Sequence, residues 1–307
     1  MVYIRSKKVK GIDYAYLVQS IWDHKNNTSK QQIIKYLGKT SNVTIEDVPE
    51  EYRFDPKIIT FISVYSSSSS SADKEKLLAK TREEIFSSLV DCNLGDLFKI
   101  YEKYSSLLGL INFYDKLLKP VMHKIGEMWE QGKLDVATEH ACTNTASSLI
   151  KVINEQISHS KSTRSQYKIL ICTPEGELHS LVCNIIESLL LSKGFKIYNI
   201  SPSVPSESIM DYIRNIEPAI ILISVTITDN LKTVERLIKK IHLKFHKIRI
   251  IVGGCALDNN KHDNKEFDKN YYDIKHSVVL MPKASFGQLL KFIMHISRKT
   301  IDNSEVA

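Results

Sequence analysis

The run Lys168-Ile169-Leu170-Ile171-Cys172-Thr173-Pro174-Glu175-Gly176-Glu177-Leu178-His179 decides the fold. Its first half is apolar, its middle is broken by Pro174 and Gly176, and it closes on a carboxylate two residues before an imidazole. A strong helical pattern begins there, so the run reads as a strand, a loop and the start of a helix. Four more apolar runs follow, at Lys196-Ile197-Tyr198, Ile220-Ile221-Leu222-Ile223, Ile248-Arg249-Ile250-Ile251-Val252 and Val278-Val279-Leu280. The segments between them are long enough for crossover helices. Strands this apolar suit a parallel sheet covered on both faces. Residues 164–300 are therefore expected to form a five-stranded parallel α/β domain. In such sheets ligands bind beyond the carboxyl ends of the strands, so the loop carrying Glu177 and His179 stands where chemistry is expected.

Upstream, from Asp73 to about Ser160, the apolar period changes to three and four, as in Leu77-Leu78, Ile85, Leu89 and then Leu97, Ile100, Tyr104, Leu107-Leu108. That period is helical. Turn signals at Asn93-Leu94-Gly95, Gly109, Pro120 and Gly132 divide residues 73–163 into a bundle of four or five helices. The serine run within 66–72 has low helix propensity and reads as a linker.

Residues 1–65 are read as a small basic β-rich domain. Val2-Tyr3-Ile4, Tyr14-Ala15-Tyr16-Leu17-Val18 and Ile33-Ile34-Lys35-Tyr36-Leu37 are short strands separated by Gly11 and His24-Lys25-Asn26-Asn27. Residues 1–40 hold eight basic side chains against two acids, which is six of the chain's seven net positive charges. A polyanion contact, DNA above all, is expected at this segment if anywhere, and a solvated basic face is the plainer alternative. The segment resembles the basic N-terminal region of some transposase-like proteins in Tyr3-Ile4-Arg5, Tyr16-Leu17-Val18 and Lys35-Tyr36-Leu37-Gly38-Lys39.

Hydrophobic residues at 43% and charged residues at 25% are ordinary globular values, and 307 residues suffice for about two domains. The five cysteines, Cys92, Cys142, Cys172, Cys183 and Cys255, show no paired spacing and, except for Cys92, have apolar neighbours. Reduced thiols packed in cores are expected, and with them a cytoplasmic location. No apolar run is long enough to span a bilayer, and the N-terminus lacks a signal core. No membrane partner is expected. Neither a P-loop nor a nicotinamide glycine fingerprint follows the first strand of the α/β domain, which removes support for nucleotide hydrolysis and ordinary dehydrogenation. His242 and His246, four apart on an expected helix, have Lys239, Lys240 and Lys244 around them and read as a basic face rather than a metal site.

The α/β segment resembles the cobalamin-binding domain of methionine synthase, corrinoid methyl carriers and cobalamin-dependent mutases. That domain keeps Asp-x-His-x-x-Gly, then Ser-x-Leu or Ser-x-Thr, then Gly-Gly. Here the elements read Glu177-x-His179-x-x-Val182, Ser224-Val225-Thr226 and Gly253-Gly254, each just after an expected strand. The resemblance implies a Rossmann-like (flavodoxin-like) fold and cobalamin as cofactor. It implies His179 as the lower axial ligand of cobalt in place of the cofactor's own base, with Glu177 orienting the imidazole. Ser224, Thr226, Gly253 and Gly254 would line the path of the displaced nucleotide tail. Val182 departs from the family glycine.

The helices resemble the cap that precedes such domains, and Trp129 followed ten residues later by Glu139-His140 resembles the CarH-type photoreceptors. That resemblance implies adenosylcobalamin rather than methylcobalamin, with Trp129, Glu139 and His140 around its upper ligand. It implies a transcription regulator that is not an enzyme, switched by cobalt–carbon photolysis and domain rearrangement. Glu130 stands where those photoreceptors place a second cobalt-binding histidine, leaving His123, His140 or water for that position. The alternative is a corrinoid methyl carrier serving partner methyltransferases. Assembly with further copies of the chain is left open.

Overall fold

The computed structural model describes residues 2–23, 28–65, 71–160, 167–258 and 277–304. The chain forms two compact units. One comprises residues 1–88 and 95–121, the other residues 89–94 and 122–307.

The second unit holds the five-stranded sheet: β4 (Lys168–Cys172), β5 (Lys196–Asn199), β6 (Ile220–Ser224), β7 (Arg249–Gly253) and β8 (Val278–Met281). All neighbouring strands pair in parallel, in the order β5-β4-β6-β7-β8. All five apolar runs of the sequence thus become strands. The central strand β6 is buried along its whole length. Helices α7 (Leu181–Leu191), α8 (Ser206–Ile216), α9 (Leu231–Lys244) and α10 (Phe286–Ser304) connect or follow the strands. In α9 the buried residues are Leu231, Val234, Leu237, Ile238 and Ile241, one stripe at helical spacing. This stripe joins Ile221, Ile223, Ile250 and Val252 in one core. The order reverses direction at β4, so the crevice between the loops after β4 and β6 is the topological switch point. The same unit contains most of α5 (Lys119–Glu130) and all of α6 (Val136–Ser160), which packs along α7. Ser188 of α7 donates a hydrogen bond to Asn154 Oδ1 of α6.

The first unit begins with an antiparallel sheet of β1 (Val2–Val9), β2 (Ile12–Asp23) and β3 (Thr28–Lys39), in the order β1-β2-β3. The three expected strands are all present. The His24–Asn27 turn lies outside the described residues. Ala15 and Leu17 of β2 are fully buried. Next come α1 (Pro56–Tyr65), α2 (Ser71–Val90), of which residues 71–88 belong to this unit, α3 (Leu94–Leu108) and α4 (Leu110–Asn112). The Tyr65 hydroxyl donates to Leu107 O (2.7 Å) and the Thr81 hydroxyl to the Tyr104 hydroxyl oxygen (2.7 Å). The linker expected over 66–72 falls largely outside the described residues, and Ser71 and Ala72 already belong to α2.

Three expectations need correction. Pro120 does not divide two helices: α4 runs through a π-helical turn at Phe113–Leu118 directly into α5. Proline removes the N–H that would bond the carbonyl four residues back. That carbonyl, Lys116 O, instead accepts a hydrogen bond from Arg82 Nε (2.9 Å), so the helix continues. Cys255 is exposed, as is Cys92, while Cys142, Cys172 and Cys183 are buried. Cys255 opens a 3-10 turn after β7, and that turn carries it out of the core. His246 lies beyond the end of α9, not on it, although its ring stands 5.5 Å from that of His242. Among the described residues no group of three or more metal-binding side chains exists. No helix among them is long and apolar enough to cross a membrane.

Candidate functional site

The loop after β4 is held at the switch point by its own polar atoms. The Ser203 N–H donates to Thr173 Oγ1 (2.8 Å) and to Glu177 O (3.0 Å), and the Gly176 N–H donates to Ser203 Oγ (3.0 Å). These bonds fix the backbone, and Glu177 then turns inward.

The Glu177 carboxylate is fully buried and every bond it makes has a purpose in the loop. Its Oε2 accepts from the N–H groups of Thr226 (2.8 Å) and Ile227 (3.0 Å) and from Asn230 Nδ2 (3.3 Å), all in the segment after β6. Its Oε1 accepts from the His179 N–H (3.1 Å) and pairs with His179 Nδ1 at 2.5 Å. Burial would raise the pKa of this carboxyl, but the bonds from His179, Ile227 and Thr226 outweigh it and bring the value down to about 2. An ionised Glu177 accepts the Nδ1 proton and so leaves Nε2 as the unprotonated nitrogen of a neutral His179. The ring is 58% exposed, and among the described residues Nε2 takes no hydrogen bond. The imidazole pKa is raised, first by the bond to Glu177, against burial, and also by the charges of Glu177 and Glu139. The Glu139 contribution places the start of α6 within electrostatic reach of His179.

Beside this pair lies an open groove between the carboxyl ends of the strands, α7 and α10. Ile171, Val182, Leu222, Ser224, Gly253 and Leu289 are among its lining residues. The lining is mostly apolar. Ser224 is buried and its hydroxyl also meets the Cys183 thiol, whose pKa burial pushes up to about 11. Gly254 has φ +123°, and a Cβ there would lie 2.0 Å from Val225 O, so no other residue fits without moving the backbone. Gly253 is different: a Cβ there would meet only Met281 O, at 3.7 Å. Val182, in the first turn of α7, puts its side chain into the groove where a glycine would leave space.

Trp129 is the penultimate residue of α5 and is 45% exposed. Asp135 caps α6, accepting from the Thr138 N–H (2.9 Å) and hydroxyl (2.6 Å). Glu139 follows in the first turn, where it accepts from the Thr143 hydroxyl (2.8 Å) and pairs with His140 Nδ1 at 2.5 Å. The His140 ring is largely exposed. His123 is exposed on α5.

Glu177, His179 and Thr226 therefore meet directly, with Thr226 contributing its backbone N–H and not its side chain. Ser224, Gly253 and Gly254 meet at the groove. Sequence reasoning missed Ile227, Asn230 and Ser203, which complete the hold on Glu177 and its loop. Their only sequence signal is position, since they follow β6 and β5 at the strands' carboxyl ends. It also missed Leu178, which stands 71% exposed between the two site residues.

A buried carboxylate thus orients an outward imidazole at the switch point of a parallel sheet, beside an apolar groove. Residues 167–268 and residues 81–154 each match a family model described as a B12 binding domain. Two segments of the chain thus match B12 binding domains, which supports a cobalamin-binding protein. More particularly, the chain is similar to the trimethylamine corrinoid protein of Methanosarcina barkeri, at 26% identity over 61% of this chain and 86% of that protein. It is also similar to dimethylamine corrinoid protein 2 of Methanosarcina mazei, at 24% identity over 60% of this chain and 85% of that one. Among solved structures, the monomethylamine corrinoid protein of Methanosarcina barkeri shares the fold, with a TM-score of 0.57 at 13% identity over 71% of this chain and 99% of that chain.

Proposed function

We propose that this chain is a corrinoid carrier that holds a methyl group for transfer between partner methyltransferases, with His179 as the lower axial ligand of cobalt. The observation that carries it is the Glu177–His179 pair, in which a buried, ionised carboxylate fixes the tautomer and aims Nε2 outward. The groove lined by Ser224 and Gly253 would hold the displaced nucleotide tail, and the buried Ser224 hydroxyl would give it a polar contact. Trp129 and Leu178 offer exposed apolar surface to the corrin and its upper ligand. The bound group supplies a cobalt centre able to take up and release one carbon. The chain's own residues bind it, orient the imidazole and keep its second proton on Nδ1. The relatives that match most of their own length to this chain are corrinoid proteins named for methylamines, which favours methyl over adenosyl as the upper ligand.

A light-responsive adenosylcobalamin sensor is the second reading. It rests on Trp129 together with Glu139 and His140 at the start of α6, where the Glu139 charge reaches His179. One experiment separates the two. The protein is loaded in darkness with methylcobalamin or adenosylcobalamin, and its absorbance and mass in solution are recorded before and after green light. A carrier binds both with the lower base displaced and keeps its assembly under light, whereas a light-driven change in assembly with adenosylcobalamin selects the sensor. Absence of any spectral change on mixing rejects both.

A further inference from the structure

The N-terminal sheet has two unlike faces. Ile4, Ala15 and Leu17 point to the buried side. On the opposite side, cross-strand partners put Arg5 beside Tyr16, Lys7 beside Tyr14, Tyr14 beside Lys39 and Tyr16 beside Tyr36. The rings make one aromatic group: Tyr36 lies 5.2 Å from Tyr16 and 6.3 Å from Tyr14, tilted by 48° and 36°. Tyr36 is 53% exposed, and Arg5, Lys7 and Lys39 are exposed beside it. Arg5 donates to Gln31 Oε1, and Gln31 Nε2 donates to the Tyr3 hydroxyl oxygen (2.5 Å), a polar ladder that crosses the same face over β2. Tyr14 and Tyr16 are half-buried and Tyr36 is the ring most open to solvent, and the cations around the cluster attract anions.

We infer that this face binds single-stranded nucleic acid, with Tyr14, Tyr16 and Tyr36 stacking on bases and Arg5, Lys7 and Lys39 meeting phosphates. Open rings flanked by fixed cations are the two parts that sequence-tolerant single-strand binding needs. A duplex keeps its bases inside and would use only the cations. Arg5, Lys7 and Lys39 supply the complementary charge on this face. This reading is independent of the corrinoid site, since the sheet belongs to the other compact unit.

The test uses the full chain and fluorescence anisotropy with labelled oligothymidylate, oligouridylate and a mixed-sequence duplex, plus co-sedimentation with phosphatidylserine vesicles. At low salt either single strand is expected to bind more tightly than the duplex, and the stronger of the two names the nucleic acid. Tyr36→Ala should weaken that binding roughly five- to hundred-fold, the range for one lost base stack, while Tyr36→Phe keeps it within about twofold because the ring remains. Lys7→Gln should lower the slope of log affinity against log salt by about 0.7. Far-ultraviolet circular dichroism identifies a variant that has failed to fold, and then the Tyr36→Phe and Lys7→Gln results decide. The inference is overturned if single strands do not bind, if the duplex binds as tightly, if only vesicles bind, or if a folded Tyr36→Ala binds as the parent does.

Discussion

Among the described residues of the second unit are two Glu–His pairs with the same short contact, 2.5 Å between Nδ1 and a carboxylate oxygen, and they are built for different ends. Glu139–His140 sits at the start of α6, with the histidine side chain 71% exposed and the carboxylate bonded otherwise to Thr143. Glu177–His179 ties two loops of the sheet together, with its carboxylate wholly buried and bonded to donors from the segment after β6. Distance between two atoms therefore says little about how firmly an imidazole is held. What matters is how many further bonds fix the carboxylate, and how little water competes for it.

Replacing Glu177 should have the largest effect. Glu177→Ala removes a buried carboxylate and leaves the N–H groups of Thr226 and Ile227 without their acceptor, and should cost about 3 kcal/mol of stability in urea unfolding of the cofactor-free protein. A loss below about 1 kcal/mol would mean that water replaces the carboxylate, and the contrast between the pairs would dissolve. Acid should act on the same bond. Because folding lowers the Glu177 pKa from 4.5 to about 2, its stabilisation is fully present above the higher value and is lost as pH falls through the lower one. Stability measured between pH 5 and pH 2 should therefore fall more steeply in the parent protein than in Glu177→Gln, which has no proton to take up there.

His179→Ala sharpens the comparison from the other side. Removing the ring takes one bond from the buried Glu177 carboxylate, so stability should fall by about 1 kcal/mol, less than for Glu177→Ala. Corrinoid affinity should fall about a hundredfold, at or beyond the upper end for losing an outer partner of a ligand. The bound spectrum should also return toward that of free cofactor, and an unchanged spectrum would remove His179 from the proposed role. Val182→Gly probes the groove beside the pair. It should cost about 1 kcal/mol because glycine weakens a helix, and it should raise the preference for cobalamin over a corrinoid lacking the nucleotide tail. The smallest effect belongs to His140→Ala, expected within about threefold in affinity and about 0.5 kcal/mol in stability, measured by absorbance titration and urea unfolding.

Much of this was legible in the sequence, for reasons that are local. Apolar runs such as Ile220–Ile223 become strands because nothing but a covered sheet can bury them, and Glu177-Leu178-His179 stands out because Pro174 and Gly176 force a loop at a strand's end. What stayed hidden is non-local. The donors to Glu177 Oε2 come from about 50 residues downstream, and no pattern near Glu177 announces them. Pro120 misled because the residue that takes up its lost bond, Arg82, lies on another helix. Cys255 misled because apolar neighbours in sequence did not keep it inside the turn after β7. The aromatic face of the N-terminal sheet emerged only once the strand register aligned Tyr16 with Tyr36.

The bare α-carbon of Gly254 carries a mechanical consequence. Val225 O fills the space a side chain would need, the Val225 N–H donates to Gly253 O (2.9 Å), and the next two residues, Thr226 and Ile227, grip Glu177. The floor of the groove and the clamp on the histidine's partner are thus one stiff splice of two loops. On the proposed corrinoid reading, a tail pressing on the groove floor would act on the aim of the imidazole through Val225, the one residue between Ser224 and Thr226.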